Sequence, residues 1–262
     1  MRVAQVLKTI SGDASLPQLD YAALVAAGVV VPEFEDGAYA DIVFDLGDSR
    51  CLQSRVSGAK LTPAGTPPTY GSGFLTIPSG GLNGLISPMP DPGSKTVAVI
   101  VKRPTNPTAA AIIAGSSEPA GGDDNGFFLC FLPTGIVTLV ARKDGSDTAA
   151  SISGSGSTGA VGDWLFVAMT ETLLEGGGYN VSVLLGNGTS LSSASAAGVP
   201  RRTSATRNVA FGNAYNGMTN YAERALDIHR GLLVSKAMTA GELAALYQRS
   251  KILAARRGIT VV

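Results

Sequence analysis

Hydrophobic and polar residues alternate with a period of two through much of the chain, and each short apolar run is followed by a cluster of Gly, Pro, Ser or Asp. In YNVSVLLG (179–186), Tyr179, Val181, Val183 and Leu185 fall on one face of an extended segment, with Asn180, Ser182 and Leu184 on the other, as expected of a strand with one face buried. The same reading predicts strands at ADIVFDL (40–46), GFLTI (73–77), KTVAVIVKR (95–103), AAAIIAG (109–115), GFFLCFL (126–132), IVTLVARK (136–143), WLFVAMTET (164–172) and RALDIHRGLLVS (224–235). Pro133-Thr134-Gly135, Gly176-Gly177-Gly178 and Gly186-Asn187-Gly188 supply hairpin turns between successive runs, because glycine and proline meet the dihedral demands of tight reversals. Consecutive hairpins make antiparallel neighbours and exclude the long crossovers of a βαβ architecture.

One helix stands out near the end. Thr239 and Glu242 in MTAGEL form a capping box, with the hydroxyl bonding an amide and the carboxylate reaching back to the cap. Leu243, Leu246, Tyr247 and Leu253 follow at helical spacing. Arg249, Lys251, Arg256 and Arg257 sit toward its negative end, with Gly258 as the C-terminal cap. The closing ITVV is expected to return as a strand. The first 35 residues, with the apolar run LDYAALVAAGVVVPEF, differ from this pattern and are read as an N-terminal arm preceding a domain over 36–262.

Composition agrees. Gly 33 and Pro 14 imply many turns, and 45% hydrophobic content in 262 residues supports a sizeable core. Charge is balanced at 20 basic and 20 acidic residues, which argues against nucleic acid as a partner. The balance is uneven along the chain: residues 201–262 carry net +7, leaving −7 for the rest. The simplest account is that the two regions lie side by side in one fold; the alternative is a subunit contact. Apolar runs fall short of the roughly 20 residues that span a bilayer, and MRVAQVLKTISGD is too short and polar for a signal peptide. Cys51 and Cys130 form no disulfide or zinc pattern.

The stretch RALDIHRGLLVSKAMTAGELAALYQRSKILAARRG (224–258) resembles the closing segment of LamG-like, concanavalin A-like domains. Leu226, Ile228, Leu232 and Val234 fill the strand positions of that segment, and Met238, Glu242, Leu243, Leu246 and Tyr247 the helix positions. The resemblance extends over about residues 39 to 262 and implies an all-β, antiparallel jelly-roll β-sandwich with one short C-terminal helix. A chain of this kind, with no export signal and a short apolar arm, is similar to bacteriophage virion proteins of tail fibres, baseplates or capsids. That similarity implies other virion proteins as partners through the arm, a host cell-surface glycan as ligand, a virion location after synthesis in the host cytoplasm, and a homo-oligomer, although no heptad demands one. The alternative is a structural decoration or fibre-anchoring subunit with no sugar ligand.

No enzyme activity is expected. A retaining glycosidase holds two carboxylates about 5–5.5 Å apart, and no alternating acidic motif supplies them; Glu171 and Glu175 bracket a turn. His229 is the sole histidine and lacks the partners of a triad or metal site, so it reads as structural. GSGSTG (154–159) matches a phosphate-loop pattern but runs into a strand, without the helix N-terminus that would hold a phosphate. Trp164 opens a strong strand and reads as core.

Two loops are candidate sites. GGDDNG (121–126) presents Asp123, Asp124 and Asn125, an oxygen-rich turn suited to sugar hydroxyls or to Ca²⁺, the one cofactor the sequence leaves open. GNAYNGMTNY (212–221) presents Asn213, Tyr215, Asn216, Asn220 and Tyr221, which pair hydrogen-bonding amides with aromatic faces that stack on sugar rings. An ordinary polar turn accounts for either loop equally well.

Overall fold

Antiparallel hairpins build the molecule. The computed structural model describes residues 35, 37–117, 125–143, 148–156, 158–186, 188, 190–215 and 224–262. Apart from Glu35, which belongs to the unit Met1–Glu35, they belong to the compact unit Asp36–Val262; the rest of the N-terminal arm lies outside them. In chain order the elements are β1 (Ala40–Val43), a 3-10 turn (Ser49–Leu52), β2 (Thr62–Ala64), β3 (Thr69–Tyr70), β4 (Leu75–Ile77), β5 (Gly84–Pro90), β6 (Lys95–Lys102), β7 (Ala111–Gly115) and β8 (Phe127–Phe131). There follow β9 (Val137–Arg142), β10 (Thr148–Ser153), β11 (Trp164–Leu173), β12 (Tyr179–Gly186), β13 (Leu191–Val199), β14 (Asn208–Gly212), β15 (Leu226–Val234) and α1 (Ala240–Ala255).

Two sheets form the sandwich. The first runs β13-β12-β11-β6-β15-β4-β3, with β1 sharing β15's outer edge, and the second runs β10-β9-β8-β7-β14-β5-β2. All pairings between these strands are antiparallel. The expected hairpins occur as β8–β9, β11–β12 and β12–β13. Tyr179, Val181, Val183 and Leu185 point inward with Val97, Val99 and Val101 from β6, against Phe127, Leu129 and Phe131 of the second sheet.

The outer face of the first sheet is also covered. Leu184, expected on a mostly solvated face, is 6% exposed because Leu243, Leu246 and Tyr247 of α1 lie over it with Ile100 and Phe166. Burial on both faces explains why β6 and β15 read as nearly continuous apolar runs. Each such aliphatic side chain contributes about 1.5–3 kcal/mol on leaving water.

The capping box is formed: Thr239 N donates to Glu242 Oε2 at 2.7 Å and Glu242 N to Thr239 Oγ1 at 3.3 Å. The basic residues do not load the last turn. Lys251 instead donates to Gly188 O, and Arg257, beyond the helix, binds Asp45 at 2.7 Å. ITVV yields a single parallel bridge, Val261 to Trp164, rather than a strand. Trp164 sits outside the inter-sheet core, partly buried on the helix-side face against Phe74 and His229.

The acidic early segment and basic late segment meet within the chain. Arg230 Nε donates to Asp41 Oδ1 at 2.8 Å and its Nη2 to Asp41 Oδ2, while Nη1 reaches Ser250 of α1 at 3.2 Å. Asp45 bridges Arg55 at 2.6 Å and Arg257.

Candidate functional site

The β14–β15 connection begins where Gly212 takes a positive φ of 75°, with Ile77 Cδ1 only 2.8 Å from where a Cβ would stand. Asn213 is 5% exposed and Ala214 packs against Gly84, where a Cβ would meet it at 2.8 Å. Tyr215 folds back along β14. Its hydroxyl donates to Asn208 O at 2.8 Å and the Arg207 guanidinium lies 5.9 Å from its ring centroid. Burial pushes the phenol's pKa up, against the opposing pull of that hydrogen bond and of Arg207, so the phenol stays protonated at neutral pH. Its partly exposed ring is fixed rather than free to rotate. Asn216, Asn220 and Tyr221 lie outside the described residues.

The β4–β5 turn adjoins this connection. Asn83, 5% exposed, accepts from Thr66 N at 2.7 Å and donates to Ser79 O at 2.8 Å. Beside it Leu82 has φ 62° and is 49% exposed, a conformation that costs a bulky residue about 1–2 kcal/mol. Arg224 Nη2 donates to Asn106 O at 3.1 Å. Asn83, Asn213, Arg224 and Ile112 line a hollow of ≈ 10 Å³, at the lower bound for one water. The described residues at this end therefore form only a shallow hollow. The sequence reading missed Leu82, Asn83 and Arg224; SGGLNG between two apolar runs was the available signal.

Of the GGDDNG segment only Asn125 and Gly126 are among the described residues, and they lie away from this hollow. Asn125 is partly buried, and Asp123 and Asp124 lie outside the described residues. Gly126 N donates to Arg202 O at 2.8 Å. Register places Gly115 beside Phe128 and Ala210, whereas Ile112 and Asn213 line the hollow toward the other end of β7. The described residues Asn125 and Asn213 thus lie toward opposite ends of the five-residue β7, a strand about 17 Å long.

Beneath the GGDDNG end lies an ionic cluster of wholly buried side chains. Lys95 contacts Asp91 at 2.6 Å and also Glu171; Arg201 contacts Asp91 at 2.7 Å and Glu171 at 2.9 Å. Ser116 Oγ and Ser204 N each donate to Asp91 Oδ2 at 2.9 Å. Lys95 and Arg201 flank the Phe127 ring, so the cluster ties the two sheets together. Burial alone would raise the Asp91 carboxyl, but the Lys95 and Arg201 charges more than reverse it and hold the pKa below the ordinary value. Glu171 is committed here, away from any cleft.

His229 is 1% exposed, with Nδ1 2.6 Å from Gly73 O. Burial lowers its pKa, only partly offset by that hydrogen bond. Burial pushes the Cys130 thiol up to about 12 and, with the nearby Asp48 and Asp45, the Cys51 thiol up to about 11, so neither is a nucleophile at neutral pH. In the glycine-rich connection after β10, Arg103 donates to the carbonyls of Thr158, at 3.4 Å, and Gly159, while Ala160 N is taken by Asp163 at 2.7 Å. The loop is anchored to its own protein by the groups a phosphate would need. Among the described residues no three His, Cys, Asp or Glu side chains group as metal ligands.

No known protein-family profile and no curated protein sequence matches this chain. Solved structures do. The receptor binding domain of botulinum neurotoxin D superposes with TM-score 0.59 at 15% identity, covering 83% of this chain and 54% of that one. The likeness is one of fold. The botulinum neurotoxin serotype D ligand binding domain in complex with N-acetylneuraminic acid gives TM-score 0.52 at 14% identity, covering 81% and 51%. The binding domain of botulinum neurotoxin DC in complex with rat synaptotagmin II gives 0.55 at 11%, again covering 81% and 51%. This chain spans about half the length of the structures it matches.

Proposed function

We propose that this chain is a noncatalytic recognition module of a bacteriophage virion, carried on a tail fibre or baseplate, whose β14–β15 connection contacts a host-surface glycan. The observation that carries the reading is the Tyr215 ring, locked by Asn208 O and Arg207 at the head of a connection rich in Asn and Tyr. A pre-oriented aromatic beside amides suits a sugar face and loses little entropy on binding. The likeness to one sandwich described as a receptor binding domain and another described as a ligand binding domain in complex with N-acetylneuraminic acid supports a binding role for the same architecture. The virion placement draws on the similarity of a Gly- and Ser-rich jelly-roll chain with a short apolar arm to bacteriophage virion proteins, and the arm over 1–35 is its proposed attachment to neighbouring virion proteins.

The second reading is a structural subunit without sugar ligand. The hollow of ≈ 10 Å³ among the described residues at this end favours it, because that hollow is too small for a monosaccharide. One experiment separates the two: titration of the purified chain with host-surface polysaccharide and with N-acetylneuraminic acid, with and without Ca²⁺, alongside Tyr215→Ala, Asn216→Ala and Asp123→Ala. Saturable binding that Tyr215→Ala or Asn216→Ala removes, at unchanged Tm, supports recognition through this connection. Loss only in Asp123→Ala, and only with Ca²⁺, moves the site to the other loop. No binding at millimolar sugar leaves the structural subunit.

A further inference from the structure

The first sheet ends at β13 and the second at β10, and these two edge strands lie next to each other on one side of the sandwich. Residues 148–162 and 186–200, which form both strands and their flanking turns, contain no charged side chain. At the chain's 15% charged fraction, stretches of this length would carry about four or five charges. The segments are nonetheless at the surface. Ser193, Ser195, Ala197 and Gly198 of β13 are exposed, as are Thr148, Ser151 and Ser153 of β10.

Soluble proteins blunt such edges with lysine, proline or a covering element, since an open edge presents unpaired backbone groups to any other strand. Here β13 extends for nine residues, LSSASAAGV, with none of these within it; a bulge opposite Tyr179–Val181 distorts only its end. Ser193 O faces away from β12, where it accepts from Ser155 Oγ at 3.3 Å, a long bond that leaves its second lone pair for another donor. By the two-residue alternation of an antiparallel ladder, the backbone groups of Ser195 and Ala197 face the same way.

We propose that this uncharged wall is a self-association surface, on which β13 pairs antiparallel with β13 of a second copy about a two-fold axis near Ser195. A neutral surface can face its own copy without like-charge repulsion, and the small Ser and Ala side chains let two backbones approach to the usual spacing of about 4.8 Å. Ser195 then pairs with Ser195 of the partner subunit, and Ser193 with the partner subunit's Ala197. The first sheet continues across the axis, and β10 faces its counterpart beneath. A wall about 30 Å long and 20 Å deep covers about 600 Å² per copy, at the boundary between weak and standard interfaces, so a micromolar dimer is expected. The pairing is isologous and closes at two copies. It is independent of the glycan reading.

The test is sedimentation velocity of the full chain from about 1 to 200 μM, with Ser195→Lys and Ser195→Cys in parallel. Wild type is expected to shift from monomer to dimer across that range. Ser195→Lys should remain monomeric at unchanged Tm, because it sets two ammonium groups against each other on the axis. Ser195→Cys should form a covalent dimer without reductant, since residues paired across such a ladder lie about 5.5 Å apart, within disulfide range. Cys51 and Cys130 are buried and do not compete. A wild-type monomer at 200 μM, a dimer indifferent to Ser195→Lys, or open-ended polymers instead of dimers would each overturn the proposal.

Discussion

Around Asp91 four ionised side chains lie fully buried between the sheets, whereas along β10 and β13 not one charged side chain occurs although many positions face solvent. In the first region two cations and two anions cancel, and each has a partner from another segment of chain. Ions there cost desolvation but fix which strands meet. In the second, neutrality leaves the edges without the repulsion that usually keeps strands apart. Charge in this molecule joins elements inside the sandwich and is withheld where another chain is proposed to sit.

That contrast breaks most decisively at Arg201. Arg201→Ala leaves the buried Asp91 and Glu171 carboxylates with the single Lys95 ammonium between them and should cost about 3–5 kcal/mol, read by urea unfolding. Acid should expose the same cluster. The Asp91 carboxyl is depressed in the fold, so its stabilisation is present above its unfolded value near 3.8 and is lost as pH falls through the lower folded value. His229, also depressed, adds an earlier loss: below its unfolded value of 6.5 the unfolded chain takes up the proton and the folded chain resists it. A Tm profile from pH 7 to 2 should therefore decline in two stages. In Asp91→Asn the lower stage should flatten, whatever the variant's baseline stability.

Smaller changes sharpen the comparison on the helix side. A Cβ at Gly186 would stand 2.5 Å from the Tyr247 ring, which also receives Gly188 N on its hydroxyl at 3.0 Å. Gly186→Ala should cost about 1–3 kcal/mol as overpacking, measured by thermal melting. Thr239→Ala removes the helix cap and should cost about 1 kcal/mol in the same assay. On the neutral wall, Ser151→Lys should leave unfolding free energy within about 0.5 kcal/mol. A larger loss there would mean that the edge carries native-state contacts within the monomer.

The same contrast governed what the sequence revealed. Of the ten segments read as strands, nine contain one, because Val, Ile and Phe runs bounded by glycine leave few other options; the closing ITVV gives only a bridge. Most of the unmarked strands are of different composition; β14, NVAFG, is the exception, an apolar strand too short to stand out beside the polar stretch that precedes it. β5, GLISPMP, carries two prolines that argue against a strand, yet Asn208 pairs with Pro90 beside a register shift that absorbs the irregularity. β10 and β13 are Ser- and Ala-rich and lack the side chains that signal burial. β2 and β3 are too short to show a period. At the candidate surface the Asn–Tyr composition was legible, but the 5% exposure of Asn213 and the fixing of Tyr215 by Asn208 arise from the return of the chain along β14 and have no local pattern.

The position of β15 bears on how the chain is made. It is the last strand in sequence, yet it lies between β6 on one edge and β1 and β4 on the other, and it supplies Arg230 to Asp41. During synthesis β6 and β4 would wait with open edges until residues 226–234 leave the ribosome. Pairings this distant in sequence close slowly. A nascent chain halted at residue 225 would hold three unjoined parts of one sheet, β13-β12-β11-β6, β4-β3 and β1, a species that requires either rapid completion or a chaperone to escape aggregation.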